Sequence, residues 1–259
     1  MTRKILRLSD GSALGLIEAG AGDPVVLIHG VGLRAEAWEP QINDLKGKFH
    51  VFAVDMPGHG MSDPLANRAD LQDYVEWGAM VLQALNCGAA AVAGHSMGAL
   101  IALGLAVTHP AMVDRLAILN GVYRRSDAAK VAVMSRADEM ARGNIDAQSP
   151  LSRWFDMGDP IRERVKRMLQ SVDPKGYAAA YRAFAMGDCS YAAQLHKIQA
   201  DTLVLTAELD GNSTPEMADA MAAQIPRAVV SVIAGHRHMV NLTAPSAVTA
   251  ALKHWLKEV

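Results

Sequence analysis

The chain has 259 residues, of which 51% are hydrophobic and 20% charged, so it can bury a large core and is not of the disordered type. Its 25 basic and 27 acidic side chains give a formal net charge of −2, which argues against an electrostatic nucleic-acid binder. No apolar run approaches the length of a membrane span, and charges interrupt the start of the chain, so we expect a cytoplasmic protein without a membrane partner. Cys87 and Cys189 stand in no metal or redox spacing and are expected to be reduced thiols.

The first half of the chain alternates short apolar strands with helical stretches. Two strands joined by the turn signal Ser9-Asp10-Gly11 come first, and β-branched or apolar runs follow. The predicted strands are residues 4–8, 13–18, 25–28, 50–54, 89–93 and 116–119, and the predicted helices are 36–45, 70–85 and 99–107. Alternation of this kind predicts a mostly parallel sheet wound with helices on both faces.

The alternation stops after Asn120-Gly121 and returns near residue 200. Between them the sequence has helical character without a convincing strand. The predicted helices there are residues 128–142, 161–172 and 175–186; strands 202–206 and 229–233 and helices 215–225 and 246–257 follow. We therefore expect an α/β core of residues 1–121 and 200–259. Residues 122–199 are expected to form a helical lid over the carboxyl edge of the sheet, where such sheets bind ligands.

The segment Gly94-His95-Ser96-Met97-Gly98 lies where a predicted buried strand turns into a helix. A serine flanked two residues away on each side by glycine, at such a turn, is the pattern of a nucleophile elbow. Side chains at positions 94 and 98 would collide with the neighbouring strand and helix, and the sharp turn strains the backbone of Ser96. Ser96 is therefore the candidate nucleophile.

A serine hydroxyl needs a base to take its proton, and a carboxylate to orient that base. Asp210 follows the predicted strand 202–206, and His238 follows the strand 229–233, so both lie at the edge where Ser96 is expected. The chain order serine, aspartate, histidine is that of a known triad arrangement. His236 is the rival base, and Glu208 is the rival acid, with Asp201 a more distant one.

These segments together resemble the α/β-hydrolase family, and within it the small esterases and enol-lactonases. The resemblance covers both ends of the chain and implies an eight-stranded sheet with the lid after the sixth strand. The matching segments are His29-Gly30, Asp55 to Ser62, Gly94 to Gly98, Asp210 with Pro215, and His238 to Pro245. Arg237 and Thr243 depart from the usual glycine and glutamate of the last segment. The family implies an oxyanion hole formed by the backbone N–H groups of Val31 and Met97.

The resemblance implies hydrolysis of a small carboxylic ester or lactone through an acyl-enzyme. Hydrolysis of a carbon–carbon bond by the same triad is the alternative, but Val31-Gly32-Leu33 and Met239 fit the ester and lactone enzymes better. A non-catalytic ligand-binding protein on the same scaffold and acyl transfer to another acceptor also remain open.

Three further residues are candidates for binding the substrate. Arg124 and Arg125, at the start of the lid, could hold a substrate carboxylate, or could simply be a solvated hinge. Trp154 could shape the pocket. No segment indicates a metal or an organic cofactor, so the expected partner is the small-molecule substrate alone.

Overall fold

The computed structural model describes residues 1–65 and 68–257, and within them eight strands form one sheet. The strands are β1 (Thr2–Arg7), β2 (Ala13–Ala19), β3 (Asp23–Ile28), β4 (Phe49–Val54), β5 (Ala90–His95), β6 (Val113–Leu119), β7 (Asp201–Ala207) and β8 (Ala228–Ile233). Their order across the sheet is β1-β2-β4-β3-β5-β6-β7-β8. β2 pairs antiparallel with β1 and β4, and the other pairs are parallel. The predicted eight-stranded, mostly parallel sheet is confirmed.

Helices pack on both faces of this sheet. The α-helices are α1 (Glu39–Leu45), α2 (Leu71–Leu85), α3 (Met97–Thr108), α4 (Asp127–Ala141), α5 (Gln148–Trp154), α6 (Ile161–Ser171), α7 (Pro174–Met186), α8 (Pro215–Ala222), α9 (Val240–Thr243) and α10 (Pro245–Trp255). One face of the sheet packs on α1 and α10, and the other packs on α2, α3 and α8. The sheet is therefore doubly wound, as the alternation of elements predicts.

The central strands are covered on both faces, which explains why their sequences are continuous apolar runs rather than alternating apolar and polar residues. In β3, the four residues Val25, Val26, Leu27 and Ile28 are all buried. Val25 and Leu27 belong to the core under α1 and α10, whereas Val26 and Ile28 belong to the core under α2 and α3. Successive side chains point to opposite faces, so a strand covered on both sides is apolar at every position.

Residues 122–199 form α4 to α7 and the turns between them, with α4 packed on α7. This segment contacts the core at several points; for example, Arg164 Nη2 donates a 2.8 Å hydrogen bond to the Glu36 carbonyl. The helix α5 was not predicted, because Ser149-Pro150 reads as a helix breaker. Proline is tolerated in the first turn of a helix, where its missing N–H has no intrahelical acceptor, and Pro150 lies in the first turn of α5.

The sixth strand is longer than predicted. It begins at Val113, whereas the sequence pattern predicts a start near residue 116. The residues at its start are polar: Asp114 is exposed, and Arg115 Nη1 lies 3.2 Å from Asp201 Oδ2 on the neighbouring strand. Polar residues at the end of a strand hide it from a hydrophobicity pattern. In the part of the chain that the structure describes, none of the helices is long and apolar enough to cross a bilayer.

Candidate active site

The turn between β5 and α3 has the strained geometry that the glycine spacing predicts. Ser96 lies in it with φ 56° and ψ −113°, a region that side-chain-bearing residues seldom occupy. A Cβ on Gly94 would lie 2.0 Å from the Gly98 carbonyl oxygen, and one on Gly98 would lie 2.2 Å from the Ile28 carbonyl oxygen. The strand and helix approach so closely that only glycine fits at both positions, and this approach forces the turn that presents Ser96.

The structure brings Asp210 and His238 into direct contact. His238 Nδ1 lies 2.8 Å from Asp210 Oδ2, and both side chains are almost fully buried. Burial alone would raise the pKa of Asp210, but the charge and hydrogen bond of His238, together with two further hydrogen bonds, outweigh it and hold the pKa below its ordinary value. Asp210 is therefore an ionised carboxylate that fixes the proton of the imidazole on Nδ1 and leaves Nε2 as the free nitrogen.

One member of this arrangement, Asn120, was not identified from the sequence. Its Nδ2 donates to Asp210 Oδ2 at 2.8 Å, and the backbone N–H of Asn212 donates to Asp210 Oδ1 at 2.9 Å. Asn120 follows β6 with φ 49°, and its carbonyl accepts a 2.7 Å hydrogen bond from Ser213 Oγ. Asparagine tolerates the left-handed conformation better than other side chains, so its position directly after a strand was the available signal.

Ser96 and His238 line the same cavity of about 300 Å³. Val31 and Trp154 also line it, and the Trp154 ring lies against the His238 imidazole with centroids 5.5 Å apart. Met97, the first residue of α3, follows Ser96 directly. Ser96, His238 and Val31 thus line one cavity, and Met97, the other position suggested for the oxyanion hole, adjoins Ser96 in the chain.

Two buried histidines hold the loops around this cavity. His59 Nε2 accepts a 3.0 Å hydrogen bond from the Gly32 N–H, and its Nδ1 lies 2.9 Å from the Pro57 carbonyl oxygen. His29 Nε2 accepts from the Met56 N–H at 2.9 Å, which ties β3 to the loop after β4. Burial lowers the pKa of His29 to about 4 and that of His59 to about 3, so both stay neutral and can accept these hydrogen bonds.

The remaining histidines near the site separate into different environments. His95 Nε2 lies 2.8 Å from the His238 carbonyl oxygen, and burial lowers its pKa to about 3, so it supports the His238 loop as a neutral donor. His236 is partly exposed, and its Nδ1 lies 3.0 Å from Thr243 Oγ1. Of the two candidate bases, it is therefore His238 that contacts the Asp210 carboxylate.

The structure places Arg124 and Arg125 away from the Ser96 cavity, which corrects the sequence-based suggestion that they hold the substrate there. Arg124 is exposed, with its guanidinium 5.3 Å from the centre of the Tyr123 ring. Arg125 is buried, with Nη1 3.5 Å from Asp188 Oδ1 and its guanidinium over the Phe184 ring. The backbone N–H of Arg125 donates to Asp188 Oδ2 at 2.7 Å, so the turn after β6 directs this side chain beneath α7 instead.

Two other arginines line the cavity, and neither was singled out from the sequence. Arg136 on α4 donates from Nε to the Tyr181 hydroxyl at 2.9 Å, and Arg153 on α5 donates from Nη1 to Ser149 Oγ at 2.5 Å. Neither guanidinium forms an ion pair with a carboxylate of residues 1–65 or 68–257. Across the same residues, no cluster of three or more histidine, cysteine or acidic side chains is arranged to hold a metal ion.

The doubly wound sheet, the strained serine after β5 and the buried carboxylate–imidazole pair after β7 and β8 are the features of one class of protein. The chain belongs to the Alpha/beta hydrolase family, whose sequence profile matches residues 25–252. It is 48% identical over 260 aligned positions to the (E)-2-((N-methylformamido)methylene)succinate hydrolase of Acinetobacter baylyi, covering 99% of each chain. It is also 28% identical to 3-oxoadipate enol-lactonase 1 of the same organism, over 91% of this chain and 89% of the lactonase.

A solved structure has the same fold. The chain superposes with a TM-score of 0.89 on a thermophilic esterase from Thermogutta terrifontis with malate bound, at 27% identity, covering 100% of this chain and 99% of the esterase. The predicted membership of the α/β-hydrolase family is confirmed.

Proposed function

We propose that the protein is a serine hydrolase that opens an acyl bond of a small, carboxylate-bearing substrate through an acyl-enzyme. The observation that carries the proposal is the contact of His238 with the buried Asp210 carboxylate in a site whose cavity also contains the strained Ser96. A hydroxyl, an imidazole and a carboxylate in this order are what nucleophilic acyl transfer requires.

The proposed reaction proceeds in two steps. His238 takes the proton of the Ser96 hydroxyl on its free Nε2 while the serine oxygen attacks the electrophilic carbon, and it then delivers that proton to the leaving group. Water repeats the sequence against the acyl-enzyme and releases the acid. Asp210 stays ionised and stabilises the imidazolium that forms in each step, because its own pKa is held low.

The backbone N–H groups of Val31 and Met97 are proposed to stabilise the oxyanion of each tetrahedral intermediate. Val31 lines the cavity beside Ser96, and the Met97 N–H is the first of α3, where the helix dipole favours negative charge. The hydrogen bond from the Gly32 N–H to His59 holds the loop that carries Val31. One such donor contributes on the order of 3 kcal/mol to transition-state stabilisation.

The presence of Arg136 and Arg153 in the cavity supports the proposal that the substrate carries a carboxylate. Each lines the cavity with hydroxyl groups as its only described hydrogen-bond partners. The two carboxylates that also line the cavity have other partners: Glu139 pairs with Arg142, and Asp146 accepts from the Gln148 and Ser149 N–H groups. A substrate carboxylate could therefore bind to the free donors of the two arginines. The name of the relative at 48% identity describes a succinate, which has two carboxylates, and a formamide rather than an ester or lactone. This relative favours the alternative, in which the same triad hydrolyses a carbon–carbon bond, over the ester or lactone hydrolase. The formamide in its name adds a carbon–nitrogen bond to those that need testing.

Residues 122–199 are proposed to act as a lid on the core of residues 1–121 and 200–259. The support is that α4, α5 and α7 contribute Arg136, Arg153, Trp154 and Tyr177 to the cavity that contains Ser96. In this proposal the core supplies the reacting groups, and the inserted helices supply the groups that select the substrate.

A substrate screen on the wild type and one variant tests this function. Ester, lactone, β-diketone and N-formyl enamine substrates, each in an acidic and a neutral form, are compared on the wild type and on Ser96→Ala, which we expect to be folded and inactive. Full activity in Ser96→Ala would refute the mechanism. Turnover of the β-diketone would support the carbon–carbon bond hydrolase, and turnover of the N-formyl enamine would support cleavage of a carbon–nitrogen bond. Turnover of esters or lactones alone would support the ester or lactone hydrolase.

Neutralising Arg136 or Arg153 tests the carboxylate. Arg136→Gln and Arg153→Gln should each lower the ratio of kcat/KM for acidic over neutral substrates by about tenfold to a hundredfold, since a charge-assisted hydrogen bond contributes about 1.5–3 kcal/mol. Arg167→Gln, on an exposed arginine of α6, is the matched control and should leave the ratio unchanged. An equal loss for acidic and neutral substrates would exclude carboxylate recognition.

A further inference from the structure

A second cavity, of about 480 Å³, lies next to the Ser96 cavity. Four residues line both cavities and form the wall between them: Arg136, Arg153, Trp154 and Asn212. Among its described lining residues the second cavity has neither Ser96 nor His238, and no step of the proposed mechanism uses it. It is therefore a separate space that the reaction leaves unexplained.

The second cavity is strongly basic. Four arginines line it, contributed by the turn after β6, by α4, by α5 and by the loop before His238: Arg125, Arg136, Arg153 and Arg237. The single acidic side chain of its described lining, Asp210, is already engaged by His238, Asn120 and Asn212. Arg136 and Arg153 are shared with the Ser96 cavity, so Arg125 and Arg237 are the two arginines that line the second cavity and not the first.

The partners of these arginines leave donors unused. Arg125 pairs with Asp188, but its buried Nη2 has no hydrogen-bond partner in the described part of the chain. Arg237 pairs through Nε with the exposed Asp156 carboxylate at 2.9 Å, which leaves its other two nitrogens without this partner. Arg136 and Arg153 bond only to hydroxyl groups. Burial lowers the pKa of Arg125 and that of Arg153, and the nearby charge of Arg136 lowers both further. A bound anion would offset this unfavourable concentration of positive charge.

The cavity wall between the guanidinium groups is apolar, and this limits the kinds of anion that fit. Ala129, Ala132, Val133 and Met217 line the cavity together with the Trp154 ring. Inorganic phosphate or sulfate would leave this apolar surface uncovered, whereas a short carbon chain bearing a carboxylate would contact it and would offer planar, bidentate geometry to a guanidinium.

We propose that this cavity is a binding site for a small organic carboxylate, separate from the site at which Ser96 reacts. The unused donors of Arg125 and Arg237 bind this carboxylate, and the apolar wall contacts its carbon chain. The inference rests on charge and shape, and it holds whether or not the protein hydrolyses the substrates proposed above.

Calorimetric titration of the protein with Ser96 blocked by a small serine-directed phosphonate tests the site. Succinate is the probe, and succinamide is its uncharged counterpart. We expect one succinate to bind per blocked chain, with an affinity that falls as salt is added, and no binding of succinamide. Loss of all succinate binding once Ser96 is blocked would overturn the proposal, because the anion would then occupy the reaction cavity alone.

Three variants, at two positions, assign the binding to one cavity. Ala132 is exposed on α4 and lines the second cavity only, whereas Asn144 lines the Ser96 cavity only. Ala132→Glu should weaken succinate binding to the blocked protein by about tenfold through like-charge repulsion, and Ala132→Gln should leave it within twofold. Asn144→Asp should also leave it within twofold. If Asn144→Asp weakens binding and Ala132→Glu does not, the site is not in the second cavity.

Discussion

Replacing Asp210 by asparagine gives the sharpest test of the carboxylate–imidazole pair, because the change keeps the size of the side chain and removes only its charge. In the native protein, Asp210 Oδ2 accepts from His238 Nδ1 and Asn120 Nδ2, and Oδ1 accepts from the Asn212 N–H. An amide has one oxygen and one NH2 group, so it cannot accept at both places.

The structure indicates which orientation the new amide adopts. Asn120 Oδ1 is buried without a hydrogen-bond partner among the described residues, so the Asn120 amide can rotate and accept from the introduced NH2 group. The introduced oxygen then keeps the bond from the Asn212 N–H. In this arrangement the NH2 group also donates to His238 Nδ1, which places the imidazole proton on Nε2 and removes the base that Ser96 needs.

The expected loss is large. The transition-state stabilisation lost in Asp210→Asn is the sum of a charge-assisted hydrogen bond, about 1.5–3 kcal/mol, and the free energy needed to restore the reactive tautomer of His238. We expect kcat/KM at pH 7 to fall by about 10³- to 10⁴-fold, equivalent to roughly 4–5.5 kcal/mol. Activity should rise again with pH, because hydroxide can then remove the Ser96 proton without the imidazole.

The assay is the pH profile of p-nitrophenyl acetate hydrolysis by purified Asp210→Asn, with its folding checked by circular dichroism. Glu208→Gln is the matched control, because it makes the same chemical change two residues earlier, where the side chain accepts from the Gly235 N–H instead. We expect Glu208→Gln to retain activity within about threefold. A folded Asp210→Asn protein with more than a tenth of the wild-type kcat/KM at pH 7 would refute the role assigned to the carboxylate.

Three further predictions concern the supports of the site. Gly98→Ala places a Cβ 2.2 Å from a backbone carbonyl oxygen, so urea denaturation should show a free energy of unfolding lower by about 3 kcal/mol or more. Gly47→Ala is the control, because open space surrounds that position and the substitution should be neutral. Equal stability of the two variants would contradict the packing argument. His238→Gln should abolish hydrolysis and His236→Gln should not, and the reverse result would reassign the base. Acidification from pH 6.5 to pH 4 should lower the free energy of unfolding by up to about 4 kcal/mol per pH unit. Three buried histidines have lowered pKa values and stay neutral in the folded protein over this range, whereas in the unfolded chain they bind protons. Urea midpoints that agree at pH 7 and pH 5 would contradict this expectation for the three, His29, His59 and His95.

The sheet and the order of the candidate site residues follow from patterns that are local in the chain. A doubly covered strand such as β3 must be apolar at every position, and a turn such as that around Ser96 admits only glycine at its two contact points. Asp210 and His238 each follow a strand of one parallel sheet, so they come to the same edge whatever the intervening loops do. These constraints are visible without coordinates, and for that reason the elements that carry the site could be predicted.

Packing of the inserted helices was decided only by the tertiary structure. Arg124 and Arg125 follow β6 and were open between a substrate contact and a solvated hinge. In the structure Arg125 turns under α7 to Asp188, and Arg136 and Arg153 line the cavity instead. Which side chains of an inserted helix face the cavity depends on which other helix it packs against, and the periodicity of the sequence does not predict that pairing. The sequence by itself therefore determined the sheet and the residues that can meet at its edge, because backbone sterics and two-sided burial act locally. The composition of the pocket above that edge depends on contacts between residues far apart in the chain, and only the folded structure shows them.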